Sequence, residues 1–292
     1  MVSCEIRPLS SSFGVEVIGL DPTSTFDAQT RDALRKAFDE QGVLLIRGLD
    51  IDFAWQDRFC RMLIGDESAG TTETRKENHV SNKEEDGLAP SGRLMFHADM
   101  MWHEKPFEVL SLYAINVEPG SATTSLTNTE YVWRNLPPEL RARIEGKHAR
   151  HQTGQVYHRG GDDLARPQRT TEQSTIKPVP EIHPRTGKSL LYVSQQMTHN
   201  IVELSGVESE ALLLDVFDCL YSPTNVYEHE WKNGDLLVFD NLTMQHARGN
   251  VERDGPTRTL RKVIAPSRTS RRKRRAMQKP DSGFARRRRC SH

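Results

Sequence analysis

His97-Ala98-Asp99 sets an imidazole and a carboxylate two positions apart. In an extended strand such side chains share a face, so the pair could meet a single ion. A third ligand must then come from a distant segment, and His246 is the candidate. Two histidines and one carboxylate on one face of an octahedron leave three positions open, the arrangement of a non-haem iron(II) site. An isolated H-x-D triplet is common on ordinary surfaces, so its weight depends on what accompanies it.

What accompanies it is Trp231-Lys232-Asn233-Gly234-Asp235-Leu236-Leu237-Val238-Phe239-Asp240-Asn241, a turn feeding an apolar run, with Gln245-His246 following after a short gap. H-x-D, a W-x-x-G-D-L strand and a D-N-x4-H segment together resemble the taurine dioxygenase family, over about Met1 to Pro266. The resemblance implies a double-stranded β-helix, or jelly roll, mainly β with flanking helices. It places the triad His97, Asp99 and His246 near one open end, with Fe(II) bound there, 2-oxoglutarate chelating the iron and O2 as oxidant.

A planar carboxylate at the far end of the co-substrate suits an arginine fork better than a lysine. In the resembled family this arginine lies a little more than ten residues beyond the distal histidine, four before a second basic residue, and Arg258 and Lys262 fit. Arg261 competes, because a one-residue slip exchanges which side chains face the pocket. A threonine contacts the same carboxylate in that family; Thr124 in Ser121-Ala122-Thr123-Thr124-Ser125-Leu126-Thr127-Asn128 is in register, with Thr123 the alternative. Small residues replace the usual paired glycines before it. Lys262 stands where taurine dioxygenase has an arginine touching the sulfonate, so taurine is not the expected substrate. Arg93, His79, Asn82, Trp102 and His103 come from segments that border the pocket in relatives, and are candidate substrate contacts or else packing residues.

The implied reaction releases succinate and CO2 while oxidising a small, anionic-leaning substrate, by hydroxylation in the default case; desaturation or cleavage starts from the same hydrogen abstraction. Halogenation is disfavoured because Asp99 keeps the carboxylate that related halogenases lose. Two competing classes stand beside this: a non-catalytic metal- or ligand-binding jelly roll, and a zinc hydrolase, for which no general base stands at a convincing spacing. His148, His151, His158, His183, His199 and His229 match no ligand position and read as exposed or hydrogen-bonded. Asp235 and Asn241 read as residues that fix turns and orient the His246 strand.

These side chains need a scaffold. Phe13 to Ile18 alternates as a strand does; Asp27 reads as an N-cap, Ala28 to Gln41 as a helix stopped by Gly42, and Val43 to Ile46 as the next strand. Val109 to Val117, Ser189 to Val193 and Leu236 to Phe239 read as strands, the last two bounded by Gly187 and Asn233-Gly234. Thr129 to Glu145 reads as helical with a restart at Pro137-Pro138, and Glu210 to Leu220 as one more helix. Thr71 to Pro90 and His151 to Gln173 are polar and read as loops. Many short strands with a few helices favour a jelly roll.

The 292 residues suit one main domain, spanning 1–266. Net charge is formally zero, yet Ser267 to His292 holds 11 Lys/Arg and one Asp, leaving 29 basic and 39 acidic residues elsewhere. This 267–292 tail has too few apolar residues to repay ordering, so disorder is expected; contact with nucleic acid through it is a minor alternative to a solvated extension. No apolar run approaches the ~20 residues of a membrane helix, and the start lacks a secretory pattern. Cys4, Cys60, Cys219 and Cys290 are scattered, which suits free thiols and a cytoplasmic location. Homo-oligomerisation is left open.

Overall fold

The computed structural model describes residues 4–66, 78–153 and 173–266. In chain order the strands are β1 (Glu5–Pro8), β2 (Val15–Ile18), β3 (Val43–Ile46), β4 (Asn78–Ser81), β5 (Gly92–His97), β6 (Val109–Val117), β7 (Thr124–Asn128), β8 (Lys147–Gln152), β9 (Ser174–Val179), β10 (Glu181–Ile182), β11 (Ser189–Leu190), β12 (Thr198–Ile201), β13 (Val226–His229), β14 (Leu236–Asp240), β15 (Met244–Val251) and β16 (Arg258–Ala265). The helices are α1 (Ala28–Gln41), α2 (Phe53–Leu63), α3 (Thr129–Asn135), α4 (Pro138–Ile144) and α5 (Gly206–Leu220).

A seven-stranded sheet in the order β1-β2-β3-β14-β6-β16-β4 faces a four-stranded sheet in the order β13-β7-β15-β5. Period-two alternation assigns each strand a side for each residue. Val43, Leu45, Leu110, Leu112, Leu237, Phe239 and Leu260 turn inward and meet Leu126 and Met244 of the smaller sheet. Leu44, Ile46, Tyr113, Val238 and Val263 turn outward and are covered by Leu34, Phe38, Phe59 and Leu63 of α1 and α2. A third sheet, β12-β8-β9, packs its Ala149, Val179 and Ile201 against α3, α4 and α5. This is the expected jelly roll with helices outside.

Several element boundaries correct the expectations. Asp27 caps α1 and Gly42 ends it at φ 75°, as read. Helix α2 was not foreseen, although Asp52 caps it and Gln56, Phe59, Cys60 and Leu63 lie buried at helical spacing. The polar stretch 71–90 contains β4, which pairs with β16, so it is not loop throughout. Residues 71–77, most of the 151–173 stretch, His158 and the basic tail lie outside the described residues. Regular strand covers only Ser189–Leu190 of the run to Val193, and α5 starts earlier than Glu210, at a Ser205 capping box with Glu208.

Candidate active site

Strands β5 and β15 pair so that His97 lies directly opposite His246. Cross-strand partners hold their side chains on one face, and the two imidazole centroids are 4.3 Å apart. Strand β5 ends at His97, so Asp99 does not share its strand as the spacing suggested. It sits in a turn in which Met100 adopts a left-handed φ of 60° and the Met101 N–H donates to Ala98 O. Asn241 pins that turn from the end of β14: its Oδ1 accepts from the Asp99 N–H at 2.9 Å and its Nδ2 donates to Asp99 O at 2.9 Å. Asp99 Oδ1 thereby lies 3.3 Å from His97 Nε2 and 3.9 Å from His246 Nε2.

The protonation states suit a cation. His97 Nδ1 lies 2.7 Å from Met95 O, a carbonyl that can only accept, so Nδ1 donates there and Nε2 is the ring nitrogen turned toward Asp99 Oδ1. Burial, with His97 beside it, pushes the His246 imidazole well below its usual range, which keeps it neutral. Burial alone would raise the Asp99 carboxyl, but Lys262, His97 and His246 together hold it well below the usual carboxylate range. The Lys262 ammonium contacts Asp99 Oδ2, leaving Oδ1 for the histidine side. Among the described residues this is the one group of three His, Cys, Asp or Glu side chains placed to hold a metal.

On the same inner face lies a second cluster. Thr124 Oγ1 accepts from Trp231 Nε1 and from Arg258 Nη2, both at 3.0 Å. A hydroxyl has two acceptor lone pairs and one proton, so the Thr124 proton remains to be donated. Arg258 Nε is held by Ala122 O at 2.9 Å, and no carboxylate among the described residues pairs with this guanidinium, which is only 3% exposed. Burial, with the neighbouring Arg248 charge, pushes its pKa down to about 9. The cluster is built to donate to an anion.

Residues 5–264 match the taurine catabolism dioxygenase TauD, TfdA family. The chain belongs to this family. Among its relatives, pentalenolactone F synthase of Streptomyces avermitilis is 27% identical, the match covering 87% of this chain and 91% of that protein. The (S)-phenoxypropionate/alpha-ketoglutarate-dioxygenase of Sphingobium herbicidovorans is 25% identical, covering 83% and 88%. Two solved structures share the fold. AAD-2 in complex with Mn(II) and N-oxalylglycine superimposes with a TM-score of 0.72 at 24% identity, over 90% of this chain and 96% of that one. A taurine dioxygenase from Burkholderia xenovorans gives 0.71 at 22%, over 90% of each. Membership of the TauD/TfdA family makes the protein a 2-oxoglutarate-dependent dioxygenase, an oxidoreductase that uses Fe(II), 2-oxoglutarate and O2.

With the TauD/TfdA assignment made, the remaining candidates sort by what they touch. Arg258 and Arg261 face opposite ways: Arg261 points outward under α2, where Nε donates to Gln56 Oε1 at 2.8 Å and Nη2 to Ile51 O at 2.7 Å. Thr124, not Thr123, meets Arg258. Lys262 shares the inner face with Arg258 but reaches the Asp99 carboxylate rather than the Thr124 cluster. Asn82 clamps the start of β16: its Oδ1 accepts from the Arg258 N–H at 2.9 Å, and its Nδ2 donates to Glu252 O and Pro256 O. Trp102 is buried with Met101, Tyr192 and Leu242, His79 is engaged with Glu84, and His103 is half-buried and turned onto Lys105 O. Arg93 lies in β5, half-buried.

Histidines assigned no role divide further. His151 and His183 are buried and bonded, to Thr198 Oγ1 and to Asp240. His229 is fully buried edge-on to Trp231, with Nε2 3.2 Å from the buried Asp235 Oδ2. Trp231 was legible only as part of the motif; its bond to Thr124 needed the fold. Asp235 holds its turn through Lys232 N and Arg47, as read. No helix among the described residues is long and apolar enough to cross a membrane.

Proposed function

We propose that this protein hydroxylates a small organic substrate while 2-oxoglutarate is converted to succinate and CO2, with His97, Asp99 and His246 as the metal ligands and Thr124 and Arg258 as the anchor for the distal carboxylate. The observation that carries this reading is the donor pair: a Thr124 hydroxyl with both lone pairs used, beside a buried Arg258 with no carboxylate partner. A purely structural metal site would have no use for such a cradle, and closes its shell with protein ligands. Iron with 2-oxoglutarate and O2 supplies the oxidising power when bound, and the protein supplies orientation and shielding. Asn241 and Lys262 fix which Asp99 oxygen faces the histidines. Phe239, whose ring centroid lies 5.1 Å from that of His246, and the inner apolar face keep water from the site.

An anionic substrate is the favoured class. Lys262 and Arg93 place positive charge on the strands that carry the triad and the cradle, and relatives named for (S)-phenoxypropionate and 2,4-dichlorophenoxyacetate act on acids. A cytoplasmic setting fits the free thiols Cys4, Cys60 and Cys219. The test is succinate formation from 2-oxoglutarate by anaerobically iron-loaded protein exposed to air, across a panel of small carboxylates and sulfonates. Turnover should require iron, vanish in His246→Ala and, in Arg258→Ala, suffer chiefly in 2-oxoglutarate affinity. Absence of both turnover and 2-oxoglutarate binding in the wild type would replace this reading with the non-catalytic one.

A further inference from the structure

Arg248 lies two residues beyond His246 and only 5% exposed. In the β15–β7 ladder it stands directly opposite Thr124, as His246 stands opposite Leu126. Directly opposed residues in an antiparallel pair share a face, with Cβ atoms roughly 5 Å apart. Leu126 belongs to the interior cluster, so Arg248 also roots on the interior face, beside the threonine that holds Arg258.

Its partners are unusual for a buried guanidinium. Nη1 donates to Ala89 O at 2.7 Å and Nη2 to Gly92 O at 2.7 Å, while Nε meets nothing among the described residues. Backbone carbonyls satisfy its hydrogens but do not cancel its charge, and no carboxylate among the described residues comes within ion-pair range. Two adjoining cations are thus desolvated together, Arg248 and Arg258, with no protein anion between them. Buried charges are ordinarily paired, and an unpaired couple on one face of a barrel costs stability until an anion arrives.

Resting on the 2-oxoglutarate reading, we propose that Arg248 is a specificity-determining residue for the co-substrate, a second, non-contacting cation that favours a 2-oxo acid with a distal carboxylate over one without. Arg258 and Thr124 make the hydrogen bonds; Arg248 deepens the positive potential in which they are made, and at the same time ties the start of β5 in place through the carbonyls of Ala89 and Gly92. A field of this kind acts on charge alone. It favours a dianionic 2-oxo acid over a monoanion of the same length whose far end is a methyl group, because the carboxylate that both share is neutralised where it meets the divalent metal.

Calorimetric binding to anaerobic Mn(II)-loaded protein separates the field from the tether, with 2-oxoglutarate and 2-oxopentanoate as paired probes. For one charge roughly 8–10 Å away at an effective dielectric of about 20, the Coulomb effect corresponds to at most roughly a 15- to 30-fold change in affinity, which salt and solvent screening reduce. Arg248→Met should therefore weaken 2-oxoglutarate by about 5- to 20-fold and leave 2-oxopentanoate within about twofold, whereas Arg248→Lys should keep most of the discrimination. If Arg248→Met does not purify folded, Arg248→Gln, which keeps two N–H donors for the carbonyls without the charge, takes its place with the same expectation. Equal weakening of both acids, or of neither, would show a tether only and overturn the proposal. Arg258→Met is the control: wild type that does not discriminate, or discrimination that survives Arg258→Met, would instead mean the co-substrate site itself is misassigned.

Discussion

At Thr124 a single oxygen decides how two other side chains are held. Its lone pairs take hydrogens from Trp231 and Arg258, and its proton is left for a ligand. Thr124→Val keeps the shape and removes all three functions. A hydrogen bond to a charged group is worth about 1.5–3 kcal/mol, so the 2-oxoglutarate Kd should rise roughly 10- to 100-fold while metal affinity stays put, and Thr124→Ser should restore most of it. Unchanged binding in Thr124→Val would remove the threonine from the cradle. Asn241 gives the complementary case, since both its amide atoms hold the Asp99 backbone. Loss of such a support typically costs 10- to 100-fold in metal affinity; Asn241→Ala should show this in a Co(II) absorbance titration without changing the preference for 2-oxoglutarate over 2-oxopentanoate. The His97, Asp99 and His246 cluster that the fold brings together was legible in the sequence because few side chains can bind iron and their spacing is distinctive. Asn82 and Arg248 were not, because their partners are largely backbone carbonyls and amides, which every residue carries and only the fold brings near.

Elements were legible where their ends carry signals. Asp27 and Gly42 bracket α1, and the glycine is required by a left-handed turn. Strand β4 was hidden because only Ser81 of its four residues is buried, so its polar composition reads as loop; its place is set by pairing with β16, 178 residues away at the bond between Ser81 and Thr259. Asp99 shows the same limit in reverse, since period-two spacing foresaw its closeness to His97 while the actual device is a turn. Strand β8, packed between β12 and β9, carries a prediction of its own. His151 is fully buried there, and desolvation, with Lys177 nearby, pushes its pKa down to about 3. Below about pH 6.5 the unfolded chain takes up a proton that the folded imidazole refuses until about pH 3, so stability is lost as pH falls through that window, by roughly 1.4 kcal/mol per unit. Between pH 7.5 and 5.0 urea unfolding should cost the wild type about 2 kcal/mol more than His151→Gln. Equal losses would mean that the folded imidazole accepts its proton freely.

Across the whole molecule, the seven-stranded sheet divides its labour by face. Inward residues of β16, Arg258 and Lys262, serve the site; outward ones, Arg261 and Val263, join the sheet to α2. The sequence left Arg258 and Arg261 as rivals, because a strand's face is set by register and one slip inverts it. The fold settles the faces through partners: Gln56 and Ile51 O on one side, Thr124 and Ala122 O on the other. The two arginines should therefore fail in opposite ways. Arg261→Met strands the buried Gln56 Oε1 and Ile51 O, at about 2–3 kcal/mol, which for a protein of this size lowers Tm by roughly 5–10 °C; 2-oxoglutarate affinity should barely move. Arg258→Met removes a desolvated charge that nothing neutralises in the free protein, so Tm without ligand should hold or rise, while 2-oxoglutarate affinity falls by about 100-fold or more, on the order of two charge-assisted hydrogen bonds. Differential scanning fluorimetry with and without 2-oxoglutarate reads both at once. If Arg258→Met loses as much Tm as Arg261→Met in the absence of ligand, Arg258 is a structural residue like its neighbour, and the inner face of the sheet is not reserved for chemistry.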